Sequence, residues 1–263
     1  MLDRTGEPWV GKFPGLGTVS VHADGSFDVV AEPDHSERAE EIGRREDALR
    51  YGWAEPLSFV RRGYRCAWGT ALAVPGGDTG ILLQGDPHGV GVGVVFAELV
   101  GLGWRLISDR IVPTQWVEGQ LLAFPRDAPA LLSRQCVDSA GLDGVEVRAH
   151  TDAVAVDVDR VSRPIAVSAL VTVDVRRPGD PVVEALSGHE RFRIAASVMI
   201  TGVMAVERVE PHDGASDVVL REHLDMAALP FVRLRYEEDS VGVDVAELCA
   251  WMATAAPVPG AAR

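Results

Sequence analysis

A mixed α/β domain with a small N-terminal appendage is the fold this sequence predicts, and three observations predict it. Residues 81–83 are an apolar run, 85–93 a glycine-dense turn, 94–100 an apolar helical segment and 104–107 a second strand, which is strand, glycine loop, helix and strand in βαβ order. Residues 165–175 form a near-continuous apolar run of the kind buried on both faces of a sheet. Residues 18–30 alternate apolar and polar positions around Asp24-Gly25, a preferred pair for a tight hairpin turn. The strands outnumber those of a purely parallel doubly wound sheet, so antiparallel pairing is expected beside the βαβ unit.

Taken in order, the hairpin at 18–30 is followed by Ser36 and a segment with an acidic start and a basic end, which suits a helix capped by Ser36. A second short helix is expected over 56–62. Residues 64–74 read as a strand, 75–78 as a turn, and the next strand begins at Gly80. After the glycine turn and its helix, Gly101 and Gly103 break the chain before the strand that ends in Ser108-Asp109-Arg110. An extended piece runs to Pro113, residues 121–124 follow Gly119, and Pro125-Arg126-Asp127 opens a short helix ending near Arg134. Residues 136–152 are polar and punctuated by glycine, as in an exposed excursion or lid. Residues 154–158 and 165–175 are strands and 176–180 a turn. Ser187 caps a helix in which Phe192, Ala195, Ala196 and Met199 keep helical spacing. Residues 217–228 are helical, 231–236 a strand and 243–254 a last helix. The chain divides into an N-terminal hairpin and helices (1–63), an α/β domain (64–256) and a small, Pro-containing tail (257–263) without expected order.

A chain of 263 residues with 47% hydrophobic and 24% charged content has room for a substantial core. No apolar run approaches the roughly 20 residues of a membrane span and the first residues open no signal peptide, so the cytoplasm is the expected location. The formal charge of −14 argues against nucleic acid or an anionic membrane as the main partner. Cys66, Cys136 and Cys249 are far apart with no CxxC, which predicts free buried thiols and no zinc site or disulfide. The pairs His189-Glu190 and His212-Asp213, and His223 with Asp225, do not share a helix face and predict no metal. Trp68, Trp104 and Trp116 are expected in core or rim packing, with a shared peptide groove as the alternative. Arginine in place of lysine, with much Ala, Val and Gly, fits a GC-rich bacterial genome.

The glycine turn has the shape of an anion cradle but not its chemistry. A phosphate-binding loop of the form GxxxxGK[ST] needs a lysine for the β- and γ-phosphates and a hydroxyl for Mg²⁺. Here Val92 stands where the lysine belongs, Gly93 where the hydroxyl belongs, and Val94 follows. Lys12 is the one lysine among 25 basic residues, so no register supplies another. Backbone N–H groups near Asp86, His88, Gly89, Gly91 and Gly93 remain as a degenerate nucleotide-binding loop, in which a tight turn with no ligand is the simpler reading.

The order of these motifs resembles the HPr serine kinase family, and among its members the shorter HPr kinase-like proteins found beside ribosomal-peptide biosynthesis genes. The resemblance spans roughly residues 64–252. It rests on ALAVPGGDTGILLQGDPHGVGVG in the place of strand, turn, strand and P-loop, and on LVGLGWRLISDRIVP in the place of G-[HW]-R-L-L-S-D-D-x-V-P. AFPRDAPAL, PIAVSALVTVDVRRPGDPVVEALSG and LPFVRLRYEED keep the family's order further on. The resemblance implies the PEP-carboxykinase-like P-loop fold and a mixed sheet. It also implies an acceptor-activating Asp at Asp109 and a metal-supporting acid where Arg110 now stands. Trp68 is the nearest match to a family histidine. The lysine, the hydroxyls and the second acid are all absent.

The expectation is therefore a catalytically degenerate HPr kinase-like protein, a pseudokinase with no cofactor that binds a peptide or protein partner in a peptide natural-product pathway, and a homo-oligomer. The alternative is an ATP- and Mg-dependent kinase, or another transferase, acting on a peptide Ser/Thr hydroxyl with Asp109 as general base and Arg110 meeting a phosphate. A structural Asp109 and an Arg110 paired with Asp109 or Asp86 are the simpler readings of those two residues. A pocket converging on Asp86, His88, Asp109 and Arg110 would favour the enzyme, and a Val92 side chain filling that space would count against it.

Overall fold

The computed structural model describes residues 7–32, 39–85, 90–146, 153–199, 215–237 and 245–254. Its N-terminal part is an antiparallel sheet of β1 (Trp9–Phe13), β2 (Gly17–Val21) and β3 (Phe27–Ala31), in that order. The expected hairpin is β2–β3. At its turn Asp24 Oδ1 accepts from the Ser26 amide at 2.8 Å and from the Ser26 hydroxyl at 2.7 Å. β1 is absent from the sequence reading because Gly11 interrupts its alternation. The Trp9 ring lies across that glycine, so close that an added Cβ would meet it at 2.3 Å.

The two helices expected before residue 63 form one continuous run: α1 (Ala39–Leu49), a π-helical turn (Arg50–Ala54) and α2 (Glu55–Arg61). Pro56 has no N–H to donate to the preceding turn, and the wider π turn just before it accommodates that gap. Gly63 ends the run in the left-handed region (φ +87°), with Tyr64 N donating to Phe59 O and Gly63 N to Val60 O, both at 3.0 Å. Ser36, the expected cap, lies outside the described residues.

The remainder is built on a nine-stranded mixed sheet. The single strand expected at 64–74 is two, β4 (Arg65–Trp68) and β5 (Thr70–Ala73), broken at Gly69. That glycine takes φ +138°, and a Cβ there would meet the Leu83 carbonyl oxygen at 2.2 Å. Their partners β7 (Arg105–Ser108) and β8 (Ile111–Val117) break opposite it, at Asp109-Arg110, so the four strands make one bent antiparallel ribbon. With β6 (Thr79–Gln84), β9 (Gln120–Ala123) and β13 (Ile165–Val175) the order is β4-β8-β9-β13-β6-β5-β7. β15 (Phe231–Tyr236) lies on β13 and β14 (Val183–Ala185) on β15. β6 and β15 both run parallel to β13, giving a parallel centre with antiparallel flanks. A second small sheet holds β10 (Ala130–Ser133), β11 (Gly144–Glu146) and β12 (Ala153–Val156) in the order β10-β12-β11.

Alternation along the central strands sorts the core into two faces. Ile81, Leu83, Val171, Val173, Val232 and Leu234 pack under α3 (Val90–Gly101) and α4 (Arg134–Ala140), while Leu82, Leu170 and Phe231 pack under α5 (Gly188–Val198) and α6 (Ala215–Ala227). α7 (Ala246–Thr254) joins the first face through Leu248. The central strands are therefore covered on both sides, as the apolar run at 165–175 predicts.

Two boundaries are corrected. The helix expected from Pro125 to Arg134 instead begins at Arg134, because Ser133 is its cap and accepts from the Cys136 amide at 3.3 Å, while residues 130–133 pair as β10. α3 begins at Val90, four residues before the expected start at Val94, which moves Gly91 and Gly93 from the loop into the helix. The expected excursion at 136–152 contains α4 and β11, and its residues 147–152 and the tail at 257–263 lie outside the described residues. Among the described residues no helix is long and apolar enough to cross a membrane.

Candidate functional site

Asp109 and Arg110 sit at the bend of the ribbon, half-buried. The Thr70 hydroxyl donates to Asp109 Oδ1 at 2.6 Å and the Leu131 amide donates to Oδ2 at 3.0 Å. Both carboxylate oxygens are thus engaged, one with the adjacent strand and one with the start of the small sheet. The backbone of the bend is fixed as tightly. Ser108 Oγ donates to Ile111 O at 2.6 Å, Gly69 N to Arg110 O at 3.1 Å, and Arg126 Nη1 to Asp109 O at 2.8 Å and Ile111 O at 3.3 Å. The other terminal nitrogen of Arg126 pairs with Glu55 of α2, in an ion pair whose side chains are 9% and 17% exposed. Arg110 takes φ +63°, a left-handed conformation strained for any residue with a Cβ. Its guanidinium lies over the Tyr51 ring, 5.7 Å from the centroid; of the two carboxylates expected to pair with it, Asp109 is engaged by Thr70 and Leu131 and Asp86 lies outside the described residues.

The glycine positions are packed from three directions. An added Cβ at Gly85 would meet Val92 Cγ2 at 2.5 Å, so the residue in the lysine position lies against the end of β6, half-buried and packed on the core. At Gly91 an added Cβ would meet the Tyr236 ring at 2.3 Å, and at Gly93 it would meet Cys136 Sγ at 2.8 Å. These close approaches explain the glycines without a ligand: β15 and α4 come against the first turns of α3, where side chains would collide. The described residues offer a nucleoside triphosphate with Mg²⁺ neither a lysine nor a hydroxyl: Val92 stands in the lysine position, and a side chain added at Gly93 would meet Cys136 Sγ at 2.8 Å. Asp86, His88 and Gly89 lie outside the described residues.

The other sequence candidates disperse. Trp104 is in the core under α3, Trp116 packs against the opposite face and Trp68 against Cys66 and Ile111, so the three tryptophans share no groove. Cys66 and Cys136 are buried and Cys249 half-buried, none of them in a disulfide, and burial pushes the Cys66 thiol up to about 12. Among the described residues no three His, Cys, Asp or Glu side chains are grouped to hold a metal. An open cavity of about 440 Å³ is lined by Pro129, Asp143, Val145 and Arg160 among others, and none of the described site candidates lines it.

Sequence reasoning missed Thr70, Glu55 and Tyr236. Thr70 carries the one signal that was available, a hydroxyl at the end of CAWGT, while Glu55 and Tyr236 reach the site from elements distant in the chain. Arg126 stands inside AFPRDAPAL, so its segment was noticed before its role was visible.

No family model and no curated protein matches the chain. Among solved structures it is similar to the HPr(Ser) kinase/phosphatase from Coxiella burnetii, at 11% sequence identity and a TM-score of 0.35, over 72% of this chain and 87% of that one.

Proposed function

We infer that this chain is a non-phosphorylating protein of HPr kinase-like design whose α/β scaffold serves to bind a peptide or protein partner. The observation that supports the reading is the packing at the glycine positions, where Val92 lies against Gly85, Tyr236 against Gly91 and Cys136 against Gly93, together with the absence of a lysine at 92 and a hydroxyl at 93. The alternative, a peptide Ser/Thr kinase or other transferase with a rebuilt site, is less favoured by the described residues of the bend. Both oxygens of Asp109 already accept hydrogen bonds, and Arg110 is turned onto Tyr51. Isothermal titration of the purified chain with ATP, ADP and pyrophosphate, with and without Mg²⁺, tests the reading. No heat at millimolar ligand is expected. Magnesium-dependent micromolar binding would overturn it in favour of the kinase.

A further inference from the structure

The N-terminal part of the chain has a core of its own. Phe13, Val19, Val21, Leu49, Ala54 and Leu57 are buried together, and this cluster is separate from those on the two faces of the main sheet. A much smaller cluster joins the two parts: Cys66 and Ile111, both wholly buried, with Phe59, Val60 and Trp68 packed on them. Around it, Phe59 meets Tyr64 edge-on at 6.2 Å and Tyr64 meets Phe124 at 4.9 Å. Tyr51, Glu55 and Phe59 recur every four residues along the helical run, so they form one stripe. That stripe meets Arg110 through Tyr51, Arg126 through Glu55, and Arg126 again through Phe59, whose centroid is 5.7 Å from the guanidinium.

The surface beneath this stripe is aromatic and basic, in a chain whose formal charge is −14. It offers Tyr64, Trp68 and Phe124 beside two guanidinium groups, and its present occupant supplies one carboxylate and one phenyl ring four residues later. This is the pattern of a helix seated in a groove, with anchors at i and i+4. The occupant is attached through Gly63, which has a left-handed backbone and open space where a Cβ would stand. An element with its own core, a small interface and a glycine joint is able to leave as a unit.

We propose that α2 is a displaceable resident of a helix-docking face on the β4–β8 ribbon, and that the partner replacing it is a helical peptide carrying an acidic side chain followed four residues later by an aromatic one. The proposal rests on the peptide-binding reading for its partner, but the displacement of α2 stands on the contacts above. Release of α2 would uncover the Asp109-Arg110 bend, so partner binding and the geometry of that bend are coupled.

Cys66 lies under α2 and Cys136 in the main core, which provides a probe and its reference in one molecule. The full chain and its Glu55→Gln variant are treated with N-ethylmaleimide, and modification at each cysteine is followed by peptide mass mapping. The expected result is at least tenfold faster labelling of Cys66 in the variant with the Cys136 rate unchanged. Rates that rise together mean global unfolding, unchanged rates mean that no latch exists, and either overturns the proposal. In the second arm a fluorescent peptide copying residues 50–62 is titrated against both chains. Binding at least tenfold tighter to Glu55→Gln than to the unaltered chain is expected, as is loss of binding when the peptide itself carries Glu55→Ala. No binding to the loosened chain refutes the docking face even where Cys66 has become accessible. Neither arm involves nucleotide, so failure here and failure of the ATP titration are separate results.

Discussion

Replacing Asp109 with alanine and with asparagine should have very different consequences, and the difference follows from two hydrogen bonds. In Asp109→Ala the Thr70 hydroxyl, on a residue 5% exposed, and the Leu131 amide both lose their acceptor. A buried donor left unsatisfied costs about 1–3 kcal/mol, so the loss should be about 2–4 kcal/mol, since the threonine rotor recovers part of its share. Asparagine keeps one oxygen for the Leu131 amide and can donate its NH₂ to the Thr70 oxygen, which satisfies both sites and gives up only the charge-assisted part, about 1 kcal/mol. Urea unfolding reads the effect as a change of midpoint at constant slope, roughly 1 M for the alanine variant if the slope is about 3 kcal/mol/M. A double-mutant cycle with Thr70→Val should return a coupling energy of about 0.5–3 kcal/mol, because the two side chains are in direct contact. An Asp109→Ala chain within about 0.5 kcal/mol of the unaltered one, with no coupling to Thr70, would refute a structural Asp109 and restore it as a candidate base.

Other outcomes follow from the same contacts. Restoring the missing groups by Val92→Lys with Gly93→Ser should give no heat with Mg·ATP and should cost about 1–3 kcal/mol, because the new side chain at 93 meets Cys136 Sγ, and adding Cys136→Ala should recover part of that stability. Arg110→Gly removes a left-handed strain of about 1–2 kcal/mol and loses a ring contact worth about 0.5–1 kcal/mol, so the denaturation midpoint should hold or rise, and a fall of more than about 1 kcal/mol would mean that Arg110 holds something besides Tyr51. His223 packs edge-on against Phe192 at 6.2 Å with its Nε2 buried and unpartnered among the described residues, and burial holds its imidazole below the ordinary 6.5. The unfolded chain then binds the proton more readily than the folded one. Its contribution is complete above the unfolded value and is lost as pH falls below it, so His223→Leu should flatten the rise in urea midpoint between about pH 5 and about pH 7.5.

Local patterns carried much of the fold, and contacts between distant residues carried what was missed. The hairpin at Asp24-Gly25 and the doubly buried strand at 165–175 are written in near neighbours, through turn chemistry and periodicity. The strand at 64–74 was legible as extended chain, but its break was not, because Gly69 is required by the Leu83 carbonyl on the neighbouring strand. The helix misplaced near residue 130 followed from reading Pro125 as an N-terminal signal, whereas Ser133, with its hydroxyl on the Cys136 amide, is the cap that forms. Asp109 and Arg110 were legible as a pair of interest from their motif. Their partners Thr70, Leu131, Tyr51 and Arg126 lie far from them in sequence, and no spacing rule connects residues that only a bent ribbon brings together.

The glycines give the strongest reason to separate shape from chemistry. A glycine-dense turn ahead of an apolar helix is compatible with two demands, backbone approaching an anion or backbone approaching other protein, and sequence does not distinguish them. At the three described positions the close approach is to protein: a ring at Gly91, a thiol at Gly93 and a valine methyl at Gly85 all lie within 2.8 Å of where a Cβ would be. α3 is apolar on nearly every side, with Val94, Val95, Phe96, Ala97 and Leu99 buried, which is the character of a core helix and not of one presenting its first turn to a charged ligand. With valine at 92 and glycine at 93, β15, α4 and the end of β6 lie directly against the first turns of α3. Returning one polar residue would meet that packing, so a lysine at 92 and a hydroxyl at 93 should be accommodated without loss of stability only when the side chains packed against those positions are exchanged with them.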